Sequence, residues 1–112
     1  MDELLHQMGE RITLRRKQLR LTQEELAEAA GITPQTVSTA ELGKKALRPA
    51  NIINICAALD ISPDYLLLGQ ISDMDMTILN QKVSQLSPEQ YRHLEDVVDS
   101  FIAVAKPNKE NS

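Results

Sequence analysis

The chain has 112 residues, 42% of them hydrophobic and 25% charged, which allows one compact domain, or a small domain with a helical appendage, and excludes wholesale disorder. No stretch approaches the ~18 apolar residues of a membrane span, and the acidic opening Met1-Asp2-Glu3 lacks the order of a secretory leader, so a cytoplasmic protein is expected. The net charge of −4 speaks against a polyanionic partner only until its distribution is read.

Residues 70–112 carry four basic against seven acidic side chains, and residues 1–69 carry eight against nine. Within the latter, Arg11, Arg15, Arg16, Lys17 and Arg20 run without an intervening acid, and Lys44, Lys45 and Arg48 follow. A local basic face on a near-neutral domain is enough for nucleic acid, because the field at the docking face matters more than the total.

The pattern is helical throughout, with no alternating strand signal. A first helix is expected over residues 2–19, with Leu5, Met8, Ile12 and Leu19 on one stripe and Arg16 filling the remaining place on it. An arginine on a core-facing stripe needs an acidic partner, since an unpaired buried charge is very costly. Thr22-Gln23-Glu24-Glu25 has the capping-box form and opens a short helix that ends near Ala30, with Gly31 as its left-handed stop. Thr33-Pro34 restarts a helix at once, which closes at Gly43.

The loop from Lys44 to Arg48 leads to Pro49 and a fourth helix carrying Ile52, Ile53, Ile55, Cys56 and Leu59. Cys56 is the only cysteine, so no intrachain disulfide can form, and its apolar setting makes a buried, inert thiol the expected reading. Ser62-Pro63 caps a fifth helix, closed by Gly69. Residues 1–69 therefore read as one five-helix domain and residues 70–75 as a polar connector. Residues 76–106 read as a two-helix segment, with Ser87-Pro88 capping its second helix, and residues 107–112 as a tail.

Two short helices joined by a tight glycine turn make a DNA-binding arrangement when the second is polar outside and apolar inside. Residues 23–42 fit, with Leu26, Ala30, Ile32, Val37 and Ala40 able to point inward and Ala27 small where the two helices cross. The strings Leu21-Thr22-Gln23-Glu24-Glu25-Leu26-Ala27, Gly31-Ile32-Thr33 and Glu41-x-Gly43-Lys44 resemble the Xre/Cro/phage-repressor family. The run from Ala57 to Leu67 is similar to that family's final helices, so the resemblance covers residues 9–69.

The resemblance implies an all-α, lambda-repressor-like domain whose recognition helix, residues 33–42, enters the major groove of double-stranded DNA. It implies base contacts from Gln35, Thr36, Ser38 and Thr39, and phosphate contacts from Thr22, Gln23, Lys44, Lys45 and Arg48. Glutamine can pair bidentately with adenine, and Thr or Ser can meet a thymine methyl or a base edge. The family's buried Arg–Glu pair maps to Arg16 and Glu41, which answers why an arginine lies on the core stripe.

Three positions depart from the family pattern. Arg15 stands where an apolar residue is usual, so either the first helix is rotated or Arg15 reaches toward DNA. Pro34 removes one base-reading glutamine of some relatives, and Arg20 replaces a common glycine, from which a first turn without a left-handed residue is expected. Arg11, Lys17 and Arg20 are read as solvated surface.

Tyr91, Leu94, Val97, Val98, Phe101, Ile102 and Ala105 share one face of the last helix, a surface suited to a homodimer, with intrachain docking as the alternative. No nucleophile–base pair or phosphate loop stands out, and His6 and His93 have no second ligand at metal spacing. An enzyme, a metal and a cofactor are therefore not expected. The reading is a dimeric, sequence-specific transcriptional repressor, nucleoid-associated when on DNA, because a compact dimer without a sensor domain can act by occluding a promoter. Two alternatives stand beside it: an antitoxin-like regulator whose C-terminal helices bind a partner protein, and an interaction module that reads no DNA.

Overall fold

The computed structural model describes residues 2–105, which form helices α1 (Asp2–Gln18), α2 (Gln23–Ala30), α3 (Pro34–Glu41), α4 (Pro49–Leu59), α5 (Pro63–Leu68), α6 (Asp73–Val83) and α7 (Pro88–Ala105). The chain's contacts divide it after Ile78 into two units. Lys106 and residues 107–112, expected as helix end and tail, lie outside the described residues.

Local chemistry sets the helix starts in the first unit. Thr22 Oγ1 accepts from the Glu25 amide at 3.0 Å while Glu25 Oε1 accepts from the Thr22 amide at 2.8 Å, a complete capping box. Thr33 caps α3 through the Thr36 amide at 3.1 Å and Ser62 caps α5 through the Tyr65 amide at 3.0 Å. Pro34, Pro49 and Pro63 each occupy a first-turn position, where a missing N–H costs nothing. The helix expected from Met76 begins earlier, at Asp73. Ser72 Oγ accepts from the Asp75 amide at 3.4 Å and the Asp75 carboxylate accepts from the Ser72 amide at 2.9 Å, a cap inside the stretch read as connector.

Met8 and Ile12 of α1, Leu26, Ala27 and Ala30 of α2, Val37 and Ala40 of α3, and Ile55, Cys56 and Leu59 of α4 form the core with Ile61 and Leu66. Burial pushes the Cys56 thiol up to about 11, with the Asp75 charge adding to it, so the thiol stays protonated at neutral pH. Helix α1 crosses α3 at Gly9, where a Cβ would fall on the carbonyl oxygens of Ala40 and Glu41. Gly43, at φ +69°, turns the chain away beneath the backbone of His6, whose Cα would lie 2.9 Å from an added Cβ.

The α1–α3 crossing is fixed by charge. Arg16 Nε donates to Glu41 Oε2 at 2.6 Å and Arg16 Nη2 to Glu41 Oε1 at 3.1 Å, a bidentate pair whose side chains are 12% and 6% exposed. Arg16 Nη1 also donates to the Leu21 carbonyl at 2.8 Å, and Gln23 Nε2 donates to Glu41 Oε1 at 2.9 Å. Burial raises the Glu41 pKa, but the hydrogen bonds from Arg16 and Gln23 and the Arg16 charge outweigh it and hold it below its ordinary 4.5.

Three readings of basic residues are corrected. Arg15 neither rotates the first helix nor reaches outward: its Nε donates to the Leu59 carbonyl at 2.8 Å, at the C-terminal end of α4, where a cation meets unpaired carbonyls and the negative end of the helix dipole. Arg11 is tied rather than solvated, its Nη1 donating to the Leu66 carbonyl of α5 at 3.0 Å. Arg20 does adopt a left-handed conformation, φ +60°. The α1–α2 turn needs it because the Arg20 and Leu21 amides fold back onto the Lys17 and Arg16 carbonyls, at 3.0 Å each.

In the second unit, no residue of α7 is buried. Leu79 and Val83 of α6 face Tyr91, Leu94 and Val98 of α7 across a cleft of about 320 Å3.

Replacing Arg20 by glycine should stabilise the fold. Relief of a left-handed non-glycine residue is worth ~1–2 kcal/mol, and the added freedom of the unfolded chain returns ~0.4–1 kcal/mol, leaving about 0.5 kcal/mol. The check is a melting temperature higher by about 2–4 °C in Arg20→Gly. Glu41→Ala strands the Arg16 charge and should cost about 3–5 kcal/mol in denaturant unfolding. Because Glu41 titrates lower folded than unfolded, its contribution is complete above its ordinary 4.5 and fades as pH falls below it. Asp75 behaves alike below 3.8: burial raises its pKa, but hydrogen bonds from Ser62 and Ser72 lower it further. Wild-type stability should thus be flat from neutrality to about pH 5 and fall below it. Glu41→Gln should show a shallower acid limb, and an unchanged limb would assign the acid loss elsewhere.

Candidate nucleic-acid interface

Helix α3 is short and two-faced. Val37 and Ala40 are buried, Gln35 is exposed, and Thr36, Ser38 and Thr39 are half-buried. It starts just past the left-handed Gly31, φ +71°, where the Ile32 amide reaches back to the Ala27 carbonyl at 2.9 Å. That turn and the Arg16–Glu41 pair hold the helix at both ends.

Beyond α3, the chain from Lys44 to Arg48 is anchored by Leu47, which packs against the core. The anchor brings Lys45 and Arg48 alongside Gln35, Thr36 and Thr39, and the five share the walls of a groove of about 250 Å3 with Leu47 and Asn51. Sequence reasoning therefore picked out residues from two separate elements that the fold joins on one surface. Arg48 immediately precedes α4 but makes no side-chain capping bond, so its guanidinium does not cap that helix. Gln35 Nε2 lies 3.5 Å from Thr39 Oγ1, at the outer limit of a hydrogen bond, and is weakly held.

The remaining candidate residues lie differently. Thr36 shares its hydroxyl with that of Thr33 at 2.8 Å, so part of its capacity is committed to the cap. Ser38 and Lys44 do not line the groove. At the start of α2, the Thr22 hydroxyl is engaged in its capping box and the Gln23 amide is turned onto Glu41. Asn51 was missed. Its signal was available, since Pro49 starts α4 and puts Asn51 in the first turn, at the end where the basic loop arrives.

On α7, Tyr91, Val97, Val98, Phe101 and Ile102 are exposed and Leu94 is half-buried. Phe101, 69% exposed, is the largest apolar side chain on that surface. Among the described residues no cluster of three metal-ligating side chains occurs, and no helix is long and apolar enough to cross a membrane.

A helix-turn-helix family model matches residues 12–66, the span that builds the core and the groove. The HTH-type transcriptional regulator DicA of Escherichia coli (strain K12) is 36% identical over 88 residues, covering 79% of this chain and 64% of that protein. The P22 c2 repressor in complex with synthetic operator 9T superposes with a TM-score of 0.55 at 38% identity, over 56% of this chain and 96% of that one. A chain of the SinR/SinI protein complex superposes with a TM-score of 0.55 at 25% identity, over 86% of this chain and 98% of that one. The chain spans between 32% and 64% of the length of the curated relatives it matches. With the capped α2–α3 pair, its glycine turn and the Arg16–Glu41 brace in place, the chain belongs to the helix-turn-helix family of Xre/Cro/phage-repressor type.

Proposed function

We propose that the chain is a sequence-specific, double-stranded-DNA-binding transcriptional repressor that reads the major groove with α3 and acts as a homodimer. One observation carries the reading: the groove that sets Gln35, Thr36 and Thr39 beside Lys45 and Arg48. Base-edge readers and phosphate binders must act together, because phosphate contacts fix register while base contacts carry sequence. Gln35 pairs with an adenine, and Thr36, Ser38 and Thr39 approach thymine methyls or base edges. Lys44, Lys45 and Arg48, with Thr22 and Gln23 at the start of α2, hold the backbone on either side. The likeness to a repressor solved on its operator supports this assignment, as does the naming of the curated relatives as a repressor and transcriptional regulators rather than enzymes.

Dimerisation is assigned to residues 76–106, through Tyr91, Leu94, Val97, Val98, Phe101 and Ile102. Helices α6 and α7 bury none of their residues, and isolated helices of such length are marginal in water without packing. Two copies would set two α3 helices about one DNA turn, roughly 34 Å, apart, and repression follows from occluding a promoter in the cytoplasm. A second reading, a different protein seated on α7, draws support from the likeness to a chain of the SinR/SinI complex, which covers 86% of this chain.

Selection from random duplex DNA should enrich an inverted repeat. Gln35→Ala should lose about 1–3 kcal/mol, roughly 5- to 150-fold, at one defined base pair. Lys45→Ala should weaken all sequences equally and reduce the log-salt slope by about 1. With ~4 phosphate contacts per subunit, the wild-type slope should be about −7. No enrichment at low salt would overturn sequence-specific reading.

A further inference from the structure

We propose that Asp75 is a positioning residue that fixes the direction in which α6 leaves the reading domain, and thereby the half-site spacing that the dimer accepts. The inference rests on the dimeric DNA-binding reading above.

The Asp75 carboxylate is the meeting point of two helix starts. Its Oδ1 accepts from the Ser62 amide at 2.9 Å, and its Oδ2 accepts from the Ser62 hydroxyl at 2.6 Å, the Ser72 amide at 2.9 Å and the Ser72 hydroxyl at 3.2 Å. Ser62 is itself buried, 1% exposed, and caps α5 through its own hydroxyl. The carboxylate therefore joins the first turn of α6 to a buried point of the reading domain.

Apolar contact accompanies it: Met74 and Ile78 line a cavity with Ile53, Ala57, Ile61 and Pro63. Helix α6 packs extensively on none of α1–α5. Ile71 is 65% exposed and Met74 54% exposed, while Ile78 is half-buried. Apolar contact is non-directional, whereas hydrogen bonds from both serines to one carboxylate set an angle as well as a distance. Without Asp75, α6 keeps its chain connection and its apolar contacts but loses the hydrogen bonds that tie its first turn to Ser62.

Spacing is where such an orientation would register. Each base pair inserted between half-sites moves one by ~3.4 Å and turns it by ~34°. A fixed link rejects that change, and a swivelling link accepts it.

The test uses the full chain and a duplex series in which the selected half-site is held constant while the central gap varies by single base pairs. Wild type should bind one spacing at least tenfold better than gaps two base pairs away. Asp75→Ala should bind an isolated half-site as wild type does, while its preference among spacings falls to within about threefold. Asp75→Asn, which keeps the Oδ1 acceptor, should lie between. Sharp spacing in Asp75→Ala overturns the inference, as does a wild type indifferent to spacing. Loss of half-site binding together with a collapsed thermal transition in both variants would make Asp75 a folding residue and also overturn it. A wild type that binds no half-site would instead overturn the DNA-binding reading itself.

Discussion

The structure depends on the buried pair between Arg16 and Glu41. Helix α3 is only eight residues long, far below the length at which a helix is stable alone in water, so its position must be imposed from outside. Its inner face offers only Val37 and Ala40 as buried contacts. A bidentate ion pair at its C-terminal end, supported by Gln23 and by the side-chain-free crossing at Gly9, gives orientation that two small apolar residues cannot give. Apolar burial supplies most of the stability of residues 2–78, and the pair supplies the register in which α3 is presented.

That division explains the use of basic residues along α1. Arg11, Arg15 and Arg16 all point at acceptors within the fold: the ends of α5 and α4, and Glu41. A basic run that reads as a docking face is largely internal carpentry, holding the other helices against α1. The cations that remain beside α3 come from the loop after it, so the electrostatics of the proposed surface rest on Lys44, Lys45 and Arg48. Acidic Glu89, Glu95, Asp96 and Asp99 belong to the other unit. A net charge of −4 does not by itself exclude a polyanionic partner, because the field at a docking face is set mainly by the charges on that face.

The helix starts were legible because their chemistry is local: Thr22 with Glu25, Thr33 with Pro34 and Ser62 with Pro63 act within one turn of sequence. Arg16 was legible for another reason, since a charge on an apolar stripe demands a partner. What escaped were contacts made by long side chains across many residues, as Arg15 with Leu59 and Arg11 with Leu66. No periodicity records where an arginine's far end will land. Arg20 escaped because its left-handed backbone is imposed by the amides that fold back on α1, and arginine has no intrinsic preference for that conformation. At the candidate site, Gln35, Lys45 and Arg48 were readable singly, but their shared groove was not, because Leu47 creates it by anchoring the loop.

The two units hold together by different physics. Residues 2–78 have a contiguous apolar core, and all their buried side-chain polar atoms are partnered. Helix α7 presents Val97, Phe101 and Val104 to solvent at 53%, 69% and 74% exposure. Helices with no buried residue have little to set against the entropy of ordering them. Their order in a lone chain draws on the facing apolar side chains of α6 and α7, on caps such as Ser87 with Gln90, and on short-range pairs such as Arg92 with Glu95. Such contacts are individually worth about a kcal/mol or less. Association would add what those contacts lack, and would make the folding of the C-terminal helices depend on protein concentration. In the proposed dimer, a reading domain with its own apolar core joined to a segment covered by a second chain would couple the reading of two half-sites to assembly.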